Sequence, residues 1–282
     1  MKVLVTGADG QVGRELAEAF ADQQLCALGH GALDVSDRDA VLAAVTTFRP
    51  DVVVHAAAWT AVDACESDPD RAFRVNALGT RHVVEAAARV GARVVYLSTD
   101  YVFDGEQQAP YVEWDRPNPQ SVYGRSKYAG ELEAALAPDS TVVRLSWVCG
   151  RHGSNMVKTI LRLAREHETL QFVDDQRGHP TFADDAARMV RRLVTDRRPG
   201  VFHVTNQGAV SWFEFARAVL AAAGDDPDRV QPIPTAALRP PRPAPRPANS
   251  VLDNAALRLS GIPLLPDFRE PLGRLVGTLA AT

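Results

Sequence analysis

Cysteine is scarce in this sequence, with three residues in 282, at Cys26, Cys65 and Cys149. They are odd in number, scattered and never at metal-ligand spacing. Neither a disulfide framework nor a cysteine-based metal centre is expected, and the three read as reduced thiols of a cytoplasmic protein. Long hydrophobic runs are missing too: no stretch approaches the roughly 20 apolar residues of a membrane span. The apolar start of MKVLVTGADG meets glycine too early for a secretory signal. Basic residues are not in excess. With 31 Lys and Arg against 35 Asp and Glu the formal net charge is -4, which argues against a nucleic-acid footprint. Internal repeats are absent.

What is present is a hydrophobic fraction of 46%, enough to bury a sizeable core in one large or two intimate domains. In the first half, short Val-rich runs alternate with helical patterns. Strands are expected at residues 3–6, 25–28, 51–57, 93–98 and 141–148. Helices are expected at 13–22, 37–48 (capped by Ser36), 70–90 and 123–136. Buried runs of this kind separated by helices predict a parallel sheet covered on both faces, a doubly wound α/β architecture. The second half is less regular, with helices expected at 154–167, 184–195 and 211–223. The last has Ser211 as cap and Glu214 at the capping-box position. A late strand at 200–205 can rejoin the sheet. Residues 232–247 (PIPTAALRPPRPAPRP) read either as a polyproline ligand or as an ordered extended connection. The connection is favoured, because a regular pattern resumes directly after it.

Gly7, Gly10 and Gly13 recur at three-residue spacing between the first strand and the first helix. Glycine permits the tight turn and lets backbone N–H groups approach a pyrophosphate, while the helix N-terminus adds partial positive charge. Dinucleotide binding is therefore expected here. The second strand ends in Leu28-Gly29-His30-Gly31 without the acid that would bond an NAD ribose 2′-OH. NADPH is thus expected to serve at least as well as NADH, with Arg14 or His30 as phosphate partners. Ala56, Ala57 and Ala58 are small enough for a cofactor to lie against the third strand.

Tyr123 and Lys127 share one helical face, four residues apart. The preceding strand ends in Ser98-Thr99-Asp100. With the glycine loop these make a constellation, and here the sequence resembles the extended short-chain dehydrogenase/reductases. Within them it is similar to the dTDP-4-dehydrorhamnose reductases. The matching motifs are GADGQVGREL (7–16), AAAWTAVDACESDP (56–69), STDYVFDG (98–105), VYGRSKYAGE (122–131), RLSWVCG (144–150), DQRGHPT (175–181) and RPANSVLD (246–253). They follow the family's order over nearly the whole chain.

The resemblance implies a Rossmann domain, residues 1–148 rejoined by 182–208, with a smaller C-terminal substrate-binding domain from 149–181 and 209–282. It implies reduction of the C4 ketone of dTDP-4-dehydro-L-rhamnose by NAD(P)H. Tyr123 would donate the proton. Lys127 would hold the nicotinamide ribose and lower the tyrosine pKa, and Thr99 would bond the sugar carbonyl. Asp100 would contact the sugar, and Trp147 would line the sugar or deoxythymidine pocket. Gly7, Gly10, Gln11, Val12 and Gly13 would surround the pyrophosphate, and Asp34, Ala57, Ala58 and Trp59 the rest of the cofactor. Arg239, Arg242 and Arg246 are candidates for the substrate diphosphate. His55 stands where many relatives carry Asn. Some members bind magnesium at a dimer contact through acids. Glu15 matches one such position, which leaves Mg2+ and a homodimer open while no metal ligand is assigned. The rivals are reduction of another dTDP-4-keto-6-deoxyhexose, and a non-catalytic regulatory subunit like the partner of methionine adenosyltransferase, which resembles the same reductases.

Overall fold

The computed structural model describes residues 1–280. In chain order the first elements are β1 (Lys2–Thr6), α1 (Gln11–Ala19), β2 (Gln24–Leu28), α2 (Arg38–Phe48), β3 (Val52–His55), α3 (Val62–Ser67), α4 (Pro69–Phe73), α5 (Gly79–Val90), β4 (Arg93–Thr99), α6 (Val122–Ala134) and β5 (Thr141–Leu145). There follow β6 (Val148–Cys149), α7 (Met156–Glu166), β7 (Leu170–Val173), β8 (Arg177–Gly178), β9 (Thr181–Phe182), α8 (Ala183–Thr195), β10 (Gly200–His203), β11 (Val210–Ser211), α9 (Trp212–Ala222), β12 (Val230–Ile233), α10 (Ala255–Leu259) and α11 (Arg269–Ala280).

Six parallel strands form the central sheet in the order β10-β5-β4-β3-β1-β2. Alternate residues of each strand face opposite sides, and both sides are dry. Val3, Val5, Val54, Val95 and Val143 pack with Leu16 of α1 and with Ala186, Val190 and Leu193 of α8. Leu4, Val53 and Val94 pack with Val41 and Val45 of α2 and Val83 and Ala87 of α5. This double burial is why the strands read as continuous Val runs rather than as an alternating pattern. The chain leaves β1 for β2 on one side and returns to β3 on the other. Such a switch point opens a crevice at the carboxyl ends of the strands.

A second core joins Val157 and Ile160 of α7, Leu170 of β7, Phe215 and Leu220 of α9, Val230 of β12, and Phe268 and Leu272. Leu257, Ile262 and Leu265 turn back into the first core. Ser211 and Glu214 form the expected capping box of α9. β12 runs parallel to β7, and the chain beyond it is anchored by Arg246, which pairs with Asp63. Residues 232–247 are therefore an ordered connection. Among the described residues no helix is long and apolar enough to cross a membrane.

Three local expectations are corrected. Asp37, not Ser36, caps α2: its Oδ1 accepts from the amides of Asp39 and Ala40, both at 3.0 Å, while Ser36 is engaged by Asp34. The helix expected at 70–90 contains a π-helical turn at Arg74–Leu78, and Asn76 within it reaches Trp59 and Ser126. The strand expected at 141–148 breaks where Trp147 takes a left-handed conformation, φ 43°. Extra helical residues and positive-φ side chains of this kind recur at functional sites.

Candidate active site

The glycine loop is fixed by its surroundings. Gly7 has φ +68°, and a Cβ there would lie 2.6 Å from the Ala57 backbone N and Cα. A Cβ on Gly13 would lie 2.0 Å from the Gly7 carbonyl oxygen. Gly10 is the N-cap of α1 and has no side chain to bond the first amides, so these remain available to an anion. Gly13→Ala should therefore lower stability by about 1–3 kcal/mol, as backbone overpacking does. It should also weaken dinucleotide binding more than tenfold, measured by denaturation and by titration calorimetry.

The loop opens a cleft of about 880 Å³ at the switch point. Gly7, Gly10, Gln11, Val12 and Gly13 line one stretch, and Asp34 with Leu33, Val35 and Ser36 closes one end. Ala57, Ala58 and Trp59 form the wall beside β3. Thr99, Asp100, Tyr123, Lys127 and Trp147 lie at the far end. One cleft thus gathers every residue singled out above for cofactor or sugar, apart from Arg14, Arg239, Arg242 and Arg246.

β4 delivers Thr99 and Asp100 at its carboxyl end, and α6 presents Tyr123 and Lys127 one turn apart. Ser121 caps α6 through Gly124 N at 3.0 Å. The Thr99 hydroxyl donates to Asp100 Oδ1 at 3.0 Å, and Tyr123 lines the same end of the cleft. Asp100 is buried and also accepts from Ser146 at 3.0 Å. Burial pushes its pKa up, while bonds from Ser250, Ser146 and Thr99 pull it down.

Lys127 is buried as well. Its Nζ donates to the Leu97 carbonyl at 2.6 Å and lies 4.2 Å from the centre of the Tyr96 ring. Burial pushes its pKa down to about 7, against the attraction of Glu131. The same burial raises the Tyr123 phenol above its usual value of 10, opposed by the Thr99 hydroxyl beside it. The expected lowering of the tyrosine pKa by Lys127 is thus not a property of the protein alone. Its ammonium is turned to Leu97, and desolvation dominates both groups.

Trp147 is held in its unusual conformation by Thr181 N, which donates to its carbonyl at 3.2 Å. Gly178 packs beneath it, where a Cβ would lie 2.6 Å from the indole. Its ring stacks on Trp212, centroids 3.5 Å apart and 6° from parallel. Trp212 also lines the cleft. Sequence reading missed it, because its only signal was an aromatic at the first position of a capped helix.

The family described as RmlD substrate binding domain matches residues 1–281. The chain belongs to this family. It is 43% identical over 291 residues to a dTDP-4-dehydrorhamnose reductase of Sinorhizobium fredii, covering 99% of this chain and 98% of that protein. It is 40% identical over 236 residues to a dTDP-4-keto-6-deoxy-D-glucose reductase of Streptomyces niveus, with 82% of each covered. The crystal structure of the dTDP-4-dehydrorhamnose reductase of Bacillus anthracis in complex with NADP superposes with a TM-score of 0.94. That match has 37% identity and covers 100% of this chain and 99% of that one.

Not every RmlD-family candidate lies in the cleft. Arg239 donates to the Ala236 and Leu238 carbonyls, both at 2.8 Å, and Arg246 grips Asp63 at 2.5 and 2.8 Å. Neither these nor Arg242 lines the cleft. Arg71 and Arg74 do, the former 4.5 Å over the Trp59 ring. Of the two suggested phosphate partners, His30 lines the cleft and Arg14 does not; Arg14 Nε donates to the Asp9 carbonyl at 3.2 Å. Glu15 is buried against Arg151 at 2.9 Å. Among the described residues no group of three or more His, Cys, Asp or Glu side chains could hold a metal ion. His55 is buried between Thr6 Oγ1 at 2.7 Å and Thr80 Oγ1 at 3.2 Å, and burial lowers its pKa to about 3. It is a neutral brace beneath Ala57, whose amide donates to the same Thr6 oxygen.

Proposed function

We propose that this protein reduces the C4 ketone of dTDP-4-dehydro-L-rhamnose with NAD(P)H, giving dTDP-L-rhamnose for cell-surface polysaccharide. The observation that carries this reading is the meeting of Thr99, Tyr123 and Lys127 at the end of β4, in the same cleft as the glycine cradle. The cradle fits a dinucleotide because its backbone leaves no room for side chains at Gly7 and Gly13. When bound, the nicotinamide supplies a hydride.

The protein's own part is to hold the ketone and move one proton. Tyr123 donates its phenol proton to the sugar oxygen as charge develops there. Thr99 steadies that oxygen, and Asp100 fixes the threonine through the bond at 3.0 Å. Lys127 turns from Leu97 towards the nicotinamide ribose, where its positive charge favours the tyrosinate left behind. Residues 1–148 with 182–208 hold the cofactor, and 149–181 with the described part of 209–282 complete the sugar pocket, the Trp147–Trp212 stack lying between them; residues 281–282 lie outside the described residues. The Streptomyces niveus relative supports a second reading, reduction of another dTDP-4-keto-6-deoxyhexose by the same residues.

Recognition of the nucleotide is directly testable. Contacts to a remote group position the reacting sugar, so truncation reduces turnover as well as binding. The free ketosugar should be reduced at least about a hundredfold more slowly, in kcat/KM, than its dTDP ester. Equal values would sink the proposal that this is a nucleotide-sugar reductase.

A further inference from the structure

We infer that Asp9 sets the choice between NADH and NADPH, by presenting its carboxylate to the 2′ position of the adenosine ribose. The inference rests on the proposal that the cleft binds a nicotinamide dinucleotide. In such sheets the discriminating acid ordinarily stands at the end of the second strand, bonding a 2′-hydroxyl and repelling a 2′-phosphate. β2 ends at Leu28, and the next residue, Gly29, has no side chain. That space is nonetheless filled. A Cβ built on Gly29 would lie 1.7 Å from Asp9 Oδ2, 2.2 Å from Cγ and 2.6 Å from Oδ1. The carboxylate thus rests on Gly29, where an acid of β2 would stand, but it reaches there from the glycine loop.

Its backbone is fixed in place. Ala8 N donates to the Leu28 carbonyl at 3.1 Å, tying the loop to the end of β2, and Arg14 Nε donates to the Asp9 carbonyl at 3.2 Å. Asp34 lines the same end of the cleft, but its Oδ1 accepts from Ser36 N at 2.9 Å and Ser36 Oγ at 2.7 Å. No described residue donates to the Asp9 carboxylate, so both its oxygens are available to a ribose hydroxyl. A 2′-phosphate would bring negative charge against it. His30 lines the same end and offers a ring N–H to that phosphate. The observable is therefore the ratio of the two affinities, not exclusion of either cofactor.

Titration calorimetry with NAD+ and NADP+ tests this on the wild-type protein and on Asp9→Asn, which keeps the side chain's size. The ratio Kd(NAD+)/Kd(NADP+) should rise at least fivefold in the variant, mainly through tighter NADP+. Asp9→Ala, which also removes the hydrogen-bond acceptor, should move the ratio in the same direction. The ratio of kcat/KM for NADPH to that for NADH should follow. A change of less than fivefold in both variants, with both dinucleotides still bound, overturns the role of Asp9 and leaves the proposed function standing. Failure of the wild-type protein to bind either dinucleotide overturns the proposed function itself, and the inference with it.

Discussion

Replacing Tyr123 by phenylalanine should lower kcat by roughly 10²–10⁴ at saturating cofactor and ketosugar, the usual range for loss of one general acid. The variant keeps the ring. Tyr123 packs edge-on against Tyr101 at 5.5 Å and lies among Cys65, Ala72 and Val122. Substrate and dinucleotide dissociation constants should therefore stay within a few-fold of wild type. Hydride arriving at the carbonyl carbon leaves charge on its oxygen, so a proton must come from within hydrogen-bond reach. Asp100 is buried and is already accepting from Thr99 and Ser146. It does not substitute for the phenol. Thr99→Val removes an orienting bond and not the acid, so its loss should be smaller. A phenylalanine variant with kcat within a few-fold of wild type would mean that Tyr123 is not the proton donor.

Replacing Lys127 by methionine should move activity and stability in opposite directions. The lysine is fully buried and its folded pKa is pushed from 10.5 down to about 7. Above pH 7 and below 10.5 the unfolded chain binds more protons, so this group's contribution to stability rises with pH. Below pH 7 both states are protonated and the whole penalty is present. That penalty has a ceiling of about 5 kcal/mol at 1.36 kcal/mol per pH unit. Methionine removes it but leaves the Leu97 carbonyl without its partner, which costs about 1–3 kcal/mol. The net expectation at pH 6 is a gain on the order of 1–3 kcal/mol in unfolding free energy, shrinking towards pH 10. Turnover and cofactor affinity should each fall by about tenfold or more. Urea denaturation at pH 6 and pH 10 checks this, and a less stable variant at pH 6 would show that the buried ammonium is a net stabiliser.

What the sequence made legible was what is local. The Gly7–Gly13 loop, the Tyr123–Lys127 face and the Thr99–Asp100 strand end each lie within a few residues, and each residue type is demanded by its own turn, helix or strand. The doubly wound sheet was readable because burial on both faces leaves unbroken Val runs. Less legible were contacts made across the chain. Asp9 and Gly29 are ordinary residues until the loop folds over the end of β2. Arg246 looks like a free cation in a basic, proline-rich run, yet it closes on Asp63, 183 positions away. The break at Trp147 is invisible in an apolar run, because Thr181 and Gly178, which hold it, come more than 30 residues later. Trp212 lines the cleft and stacks on Trp147, from which 64 intervening residues separate it in the chain.

The central claim is that the cleft performs chemistry on a nucleotide-linked ketosugar. It is tested most directly by giving the purified protein dTDP-4-dehydro-L-rhamnose with NADPH or NADH and identifying the sugar nucleotide formed. The predicted result is one reduced nicotinamide consumed per sugar and dTDP-L-rhamnose as the product. Dinucleotide bound but not consumed in the presence of the ketosugar would contradict it.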